Sequence, residues 1–313
     1  MKDKTKKYSL FAGFIVILLL LISLPSYVSS YRVIFVTNIL MYVILTLSWV
    51  IFSGPTGYIS LATAAFFGIG VYTSAVLSGT LSLPFLILIG GLASFCLAFV
   101  VGSLTLRLRG MYFTMFTFAL VQLISNLAHW YEVNVTGTVG RLVLSLESTT
   151  VYYSMLVVFC LVLLASYYIK HSKFGLALQS IGESEEAAAH SGINVTLVKV
   201  TTFAISAFFM GAVGAVMTMR WTYVDPPTAF DIRLSFMPLL MAIFGGMGNL
   251  FSPIIGSSIF AYLEEILTTK FPYYYMLLFG GAMLLVIVFM PHGIEGVFQK
   301  LQKINKRESV EKT

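Results

Sequence analysis

The chain has 313 residues, of which 58% are hydrophobic and only 10% charged, and its mean hydropathy is +0.91. Such a composition excludes an ordinary soluble globular domain. A formal charge of +6 does not make it a nucleic-acid binder, because the basic residues follow membrane topology and form no groove-like cluster.

Apolar runs of about 17–25 residues recur along the chain, each long enough to cross roughly 30 Å of hydrocarbon. Lipid offers no partners to backbone polar groups, so these runs must be helices. The expected fold is therefore all-α: a polytopic transmembrane helix bundle of about eight to ten membrane segments, some short or re-entrant.

In chain order, helices are expected near 9–28, 33–52, 57–79, 82–106, 110–130 and 151–169. A polar stretch follows, then 198–219, two short segments near 235–248 and 253–268, and a last span near 274–290. The first run, 10–24, follows Lys2, Lys4, Lys6 and Lys7 and so imitates a signal peptide. No small-residue cleavage site follows Ser29 and many spans come after, which marks it as a retained helix.

With the N-terminus inside, Arg107, Arg109, Lys170, Lys173, Lys199, Lys300, Lys303, Lys306, Arg307 and Lys312 join the N-terminal lysines on one side. Arg32, Arg141, Arg220, Arg233 and Lys270 remain on the other. By the positive-inside rule the richer side is the cytoplasm, and both termini face it. The expected organisation is a cytoplasmic segment 1–8, a membrane domain 9–295 with a cytoplasmic loop at 170–197, and a basic cytoplasmic tail 296–313.

Between the second and third helices, Gly54-Pro55-Thr56-Gly57-Tyr58-Ile59-Ser60-Leu61 cannot sustain a helix. It should free backbone groups at or near membrane depth, which is tolerated only where protein or a water-filled cavity satisfies them. Small residues at Ser60, Ala64 and Gly68, at Gly70, Ser74 and Ser78, and at Ala207, Gly211 and Ala215 form stripes for close helix packing. Cys96 and Cys160 lie in apolar runs and are expected as buried free thiols.

Residues 179–194 (QSIGESEEAAAHSGIN) are the polar stretch. Ser180-x-x-Glu183 and Ser184 followed by Glu185 and Glu186 offer two equally good helix starts. Ala187, Ala188 and Ala189 propagate the helix, His190 sits near its negative end, and Gly192 supplies a left-handed stop. A helix this small is marginal in water. It reads either as a solvated linker or as a piece that docks onto another protein through its acids and small alanine face.

Further on, Gly245-Gly246-Met247-Gly248-Asn249 before Pro253 breaks the second half much as residues 54–61 break the first. Interrupted segments in both halves point to a substrate path. Ionisable residues within the spans are few: Glu264, Glu265 and His129 lie near helix ends. This scarcity weighs against proton or ion coupling. No Walker-type glycine loop, nucleophile triad, His-Glu-x-x-His pair or paired-carboxylate site is present, so no catalytic residue, metal or cofactor is expected.

Several of these segments together resemble one family. Residues 57–73 (GYISLATAAFFGIGVYT) are similar to the Gly-x-x-Ser-Leu-Gly-x-Ala-Ala-Phe-x-Gly-x-Gly-Ala-Tyr segment of branched-chain amino-acid ABC transporter permeases. Arg107-Leu-Arg-Gly-Met-Tyr-Phe113 resembles their Leu-Arg-Gly-x-Tyr-Phe element, and residues 174–195 resemble their cytoplasmic coupling loop. Residues 244–256 (FGGMGNLFSPIIG) match Gly-Gly-x-Gly-(Ser/Asn)-x-x-Gly-Pro-x-x-Gly, and Pro291-His-Gly-Ile294 matches the Pro-x-Gly-Leu ending. The ordered set covers about residues 35–295.

The resemblance implies a non-enzymatic permease subunit paired with a second permease, a paralogue, in a bacterial cytoplasmic membrane. It further implies two cytoplasmic ABC ATPases that hydrolyse ATP, an extracellular solute-binding protein, and no nucleic-acid partner. Glu186, Ala187, Ala188 and Gly192 fit the importer loop pattern Glu-Ala-Ala-x3-Gly that contacts the ATPase, with Glu183 and Glu185 in the same helix. Substrate would arrive over loops 136–147 and 220–233. It would cross a path lined near Ser60, Thr63, Phe66, Gly245, Gly246 and Asn249.

Two departures from the family pattern touch that path. Ala62-Thr63 stands where Gly-His is usual, and Thr136-Gly-Thr-Val-Gly-Arg141 replaces Thr-Gly-Gly-x-x-Gly. Leu, Ile or Val is the first-choice substrate, and related permeases carry urea, short amides, nucleosides or simple sugars. The competing readings are an ion-coupled secondary transporter and a non-transporting membrane scaffold.

Overall fold

In the computed structural model the described residues are 19–108 and 110–274, with 277, 280 and 281. Residues 1–18, Arg109, most of the expected 274–290 span, the Pro291–Ile294 motif and the basic tail lie outside them.

The bundle is helical almost throughout, as the apolar runs require. A helical stretch at 19–27 leads into α1 (Ser30–Thr56), followed by α2 (Thr63–Leu77), α3 (Leu83–Thr105) and α4 (Met111–Tyr131). Six segments among the described residues are long and apolar enough to span a bilayer, and they include α1, α3 and α4. α4 runs on into a π-helical turn, Glu132–Thr136. Then come α5 (Ser148–His171), α6 (Lys173–Glu183), α7 (Glu185–His190) and α8 (Val195–Thr218). A short α9 (Pro226–Ala229), α10 (Arg233–Gly245) and α11 (Phe251–Lys270) complete the described fold. Strands β1 (Arg141–Leu142) and β2 (Tyr223–Val224) pair antiparallel, Arg141 opposite Val224 and Leu142 opposite Tyr223.

The core is built around α8, which packs along α2 and α3. The small-residue stripes explain how. A Cβ added at Gly70 would collide with the Gly211 carbonyl, and one at Gly211 with Ser94 and the Gly90 carbonyl. Backbones this close allow polar bridges inside the bundle: Ser74 Oγ donates to the Ala215 carbonyl at 3.2 Å and Ser94 Oγ to the Phe66 carbonyl at 2.8 Å. With no hydrophobic drive between helices in lipid, such approach is what holds them.

Two expectations need correction. The third helix begins at Thr63 instead of residue 57, while Gly54 and Pro55 stay in the last turn of α1. Pro55 removes one donor of that last turn, and the helix stops at Gly57, whose φ of 71° caps it with an N–H bond to the Ser53 carbonyl. Cys96 is exposed and Cys160 half-buried, so the free thiols are not both in the core. The two short segments expected in the second half are indeed distinct helices, α10 and α11, separated by a turn at Gly246, where φ is 94°.

Candidate functional site

The break at Gly57 leaves residues 57–62 outside helix, and side chains satisfy the backbone groups in the middle of this linker. Trp49 Nε1 donates to the Ser60 carbonyl at 2.7 Å and Thr114 Oγ1 to the Ile59 carbonyl at 2.9 Å. The Leu61 N–H donates to Thr117 Oγ1 at 3.0 Å. Helices α1 and α4 thus supply what water cannot.

Against this linker sit the two short helices of the polar stretch. Ser184 settles the open question of the helix start. Its Oγ accepts from the Ala187 N–H at 3.3 Å, whereas Ser180 lies within α6 and bonds back to the Leu176 carbonyl. Gly192, at φ 83°, follows the end of α7, and Asn194 Oδ1 caps α8 by accepting from Leu197 N–H at 3.1 Å. Gly182 of α6 lies so close to the Pro55 carbonyl that a Cβ would not fit.

Of the residues the sequence singled out here, Glu183, Glu186, Ala187 and Gly192 are exposed and Ala188 is buried. Glu185 turns inward. Its Oε1 accepts from Tyr58 Oη at 2.5 Å and lies 2.8 Å from Lys199 Nζ. Lys199 also donates to the Leu106 carbonyl at 3.0 Å and to Tyr58 Oη at 3.2 Å, with its ammonium 4.6 Å from the Tyr58 ring centroid. The lysine is 3% exposed. One cluster therefore joins α7, the 57–62 linker, α8 and the end of α3. Sequence reasoning counted Lys199 only as a topological charge. The signal was there: it is the single charged residue within the α8 sequence.

A cavity of about 670 Å³ opens beside this cluster, lined by Thr56, Tyr58, Ile59, Met111, Thr114 and Glu183 among others. A second, of about 290 Å³, lies at the other end of α1, where Phe35, Asn38 and Tyr42 meet Arg220, Glu264 and Glu265. Asn38 and Thr56 are 18 positions apart on one helix, about 27 Å at 1.5 Å per residue. The cavities are thus at opposite ends of the bundle.

None of the six path residues lines either cavity. Ser60, Thr63, Phe66, Gly245 and Gly246 are buried and Asn249 is exposed. Ile59 faces the larger cavity and Phe67 the smaller, so residues 60–66 form the closed stretch of chain between the two. Phe66 packs edge-on against Phe203 with centroids 5.3 Å apart. The turn after Gly245 joins the larger cavity's end of the bundle, where Lys170 Nζ donates to the Gly248 carbonyl at 2.6 Å.

The two loops expected to receive substrate do come together. Besides the β1–β2 pairing, the Val143 N–H donates to the Thr222 carbonyl at 3.0 Å and Leu146 N–H to the Met219 carbonyl at 2.8 Å. Glu132, 1% exposed, holds Arg141 at 2.7 Å beneath the ribbon. Among the described residues no group of three or more His, Cys, Asp or Glu is placed to hold a metal ion.

The family profile for the branched-chain amino acid transport system permease component matches residues 31–288. The chain belongs to that family. The high-affinity branched-chain amino acid transport system permease protein LivM of Salmonella typhimurium is 28% identical to it over 313 residues, which cover 89% of this chain and 73% of that protein. LivM of Escherichia coli is also 28% identical, over 93% of this chain and 75% of its own length. The ribose import permease protein RbsC of Haemophilus influenzae is 28% identical over 129 residues, 40% of each chain. No solved structure is a significant match. As a member of this permease family with six candidate spans, the chain is a multi-pass membrane protein with a transport role.

Proposed function

We propose that the chain is one membrane half of an ATP-driven importer in a bacterial cytoplasmic membrane, and that it carries a branched-chain amino acid. The names of the LivM relatives support this substrate class. Both termini would face the cytoplasm, with 1–8 and 296–313 as flanking segments of the 9–295 membrane domain. A second permease, two ATPases and an extracellular binding protein would complete the machine.

The observation that carries the reading is α7. It is a six-residue helix with its own cap, anchored on its inner side by Glu185 and presenting Glu186, Ala187 and Gly192 outward. A helix so short gains its order from tertiary contact, and its outer face is exposed. An ATPase whose closing moves α7 would act on the 57–62 linker through the Lys199 cluster. For ATP to alter access, the ATPase must bind two states of the bundle with different affinity.

Uptake of labelled L-leucine by cells with and without the chain tests this. The importer reading expects uptake that is lost on deletion, lost on ATP depletion, and retained when ion gradients are collapsed with ATP maintained. Uptake that follows an ion gradient and survives ATP depletion contradicts it.

A further inference from the structure

The smaller cavity gathers Arg220, Glu264 and Glu265, none of which forms an ion pair among the described residues. Arg220, which follows α8, is half-buried and donates to the Asn38 side-chain carbonyl, leaving the other arms of its guanidinium without a described partner. Burial pulls its pKa down while the charge of Glu265 opposes that shift. Across the space, Glu264 Oε1 accepts only from Tyr42 Oη at 3.3 Å, and Glu265 Oε1 only from Tyr31 Oη at 3.4 Å. Neither carboxylate forms an ion pair among the described residues. Asp231 and Arg233, by contrast, pair with one another at 2.7 Å and cancel.

Unpaired charges on half-buried side chains at the end of a membrane bundle are costly and mark function by default. Here they are of both signs and share one space of about 290 Å³. That size is at the lower end for small-molecule sites, roughly 300 Å³. Apart from Thr228 and Thr268, the remaining wall is apolar and aromatic, with Phe35, Ile39, Phe67, Met217 and Trp221. A ligand that fits must be small, carry one anionic and one cationic group, and have an apolar remainder.

We propose that this cavity is the permease's own binding site for a zwitterionic amino acid, with Arg220 taking the carboxylate and Glu264 and Glu265 the ammonium. Guanidinium suits a carboxylate because its planar fork can bond both oxygens. The two tyrosines hold the acids by one hydrogen bond each and leave lone pairs for an ammonium. The cavity lies at the end of the bundle that carries the β1–β2 ribbon, since Met219 and Thr222 flank Arg220 in sequence and bond the 143–146 segment. A solute released at those loops would meet it before reaching the closed 60–66 stretch. The proposal rests on the amino-acid permease reading above.

The test is equilibrium binding of labelled L-leucine to the full chain purified in lipid nanodiscs, beside uptake by cells carrying the complete importer. Binding should be saturable. Arg220→Gln and the pair Glu264→Gln with Glu265→Gln should each weaken it by about tenfold or more, because each leaves one ligand charge unmatched. Arg220→Lys keeps the charge but loses the fork, and its binding should fall between that of wild type and that of Arg220→Gln. Should a charge-removing variant fail to fold, wild-type competition decides: 4-methylpentanoate lacks the ammonium and 3-methylbutylamine the carboxylate. Each should compete about tenfold worse than L-leucine or weaker. Equal competition by either analogue overturns the site, as do variants that fold and bind like wild type. Leucine uptake by the importer with no binding to the purified chain also overturns it, while the function reading stands. Binding through these residues in a chain whose importer moves no leucine supports the site and removes only that substrate assignment.

Discussion

Lys199 Nζ lies 2.8 Å from Glu185 Oε1, although one residue sits in a core helix and the other in a six-residue surface helix. The lysine side chain is 4% exposed and the glutamate 19%. Truncating one partner of such a pair leaves a charge in a site that water barely reaches, at a cost of about 3 kcal/mol or more. Lys199→Met is therefore expected to lower the melting temperature of the detergent-solubilised chain and to abolish uptake. Adding Glu185→Gln should recover part of the lost stability, read as a positive coupling in a double-mutant cycle. Additive losses would show that the pair does not couple the two elements.

The cap and the outer face of α7 should separate in their effects. Ser184→Ala removes a side-chain acceptor worth about 1 kcal/mol and should reduce transport partly by fraying a helix with little to spare. Glu186→Arg reverses the charge of an exposed side chain on the outer face of α7. It should leave membrane insertion unchanged while abolishing transport, and Gly192→Arg should abolish it too. Normal uptake by both arginine variants, measured at equal membrane abundance, would remove α7 from the coupling path.

Glycine positions discriminate packing from composition. Gly70→Val must displace the Gly211 backbone, so the purified variant should aggregate or melt far below wild type. Gly79 has open space around it, and Gly79→Val should be nearly silent. Gel-filtration profiles of the two variants give the comparison.

The two ends of the bundle should label from opposite faces. Leu142 is 84% exposed on the ribbon, and Ala187 is exposed on α7. In a background with Cys96 and Cys160 changed to serine, an impermeant maleimide applied to intact cells should modify Leu142→Cys and spare Ala187→Cys. The reverse pattern would invert the proposed orientation.

Much of the bundle was legible because lipid enforces long apolar helices. The expected 82–106 and 110–130 spans fall within one residue of α3 and α4 at each end. The stripes through Gly70 and Gly211 marked α2 and α8 for close packing, although nothing in the sequence paired the two helices with each other. Less was legible where a residue's role depends on a distant partner. Tyr58 matters through Glu185 and Lys199, and its own neighbourhood shows only a glycine-flanked break. The start of α2 was misplaced because side chains of α1 and α4, read separately as apolar helices, satisfy the backbone of the non-helical linker 57–62. The smaller cavity draws Asn38, Arg220 and Glu264 from three elements, and no local pattern in the sequence joins them. Glu264 and Glu265 were noticed only as acids near a helix end.

The central claim is that this chain is driven through α7 by a separate ATPase. The most direct measurement is affinity purification of the tagged chain from native membranes in mild detergent, with co-purifying proteins identified by mass spectrometry, wild type beside Glu186→Arg. The account predicts a soluble ATPase with wild type and its loss from the variant at equal recovery of the chain. A chain that purifies without any ATPase in both cases would contradict it.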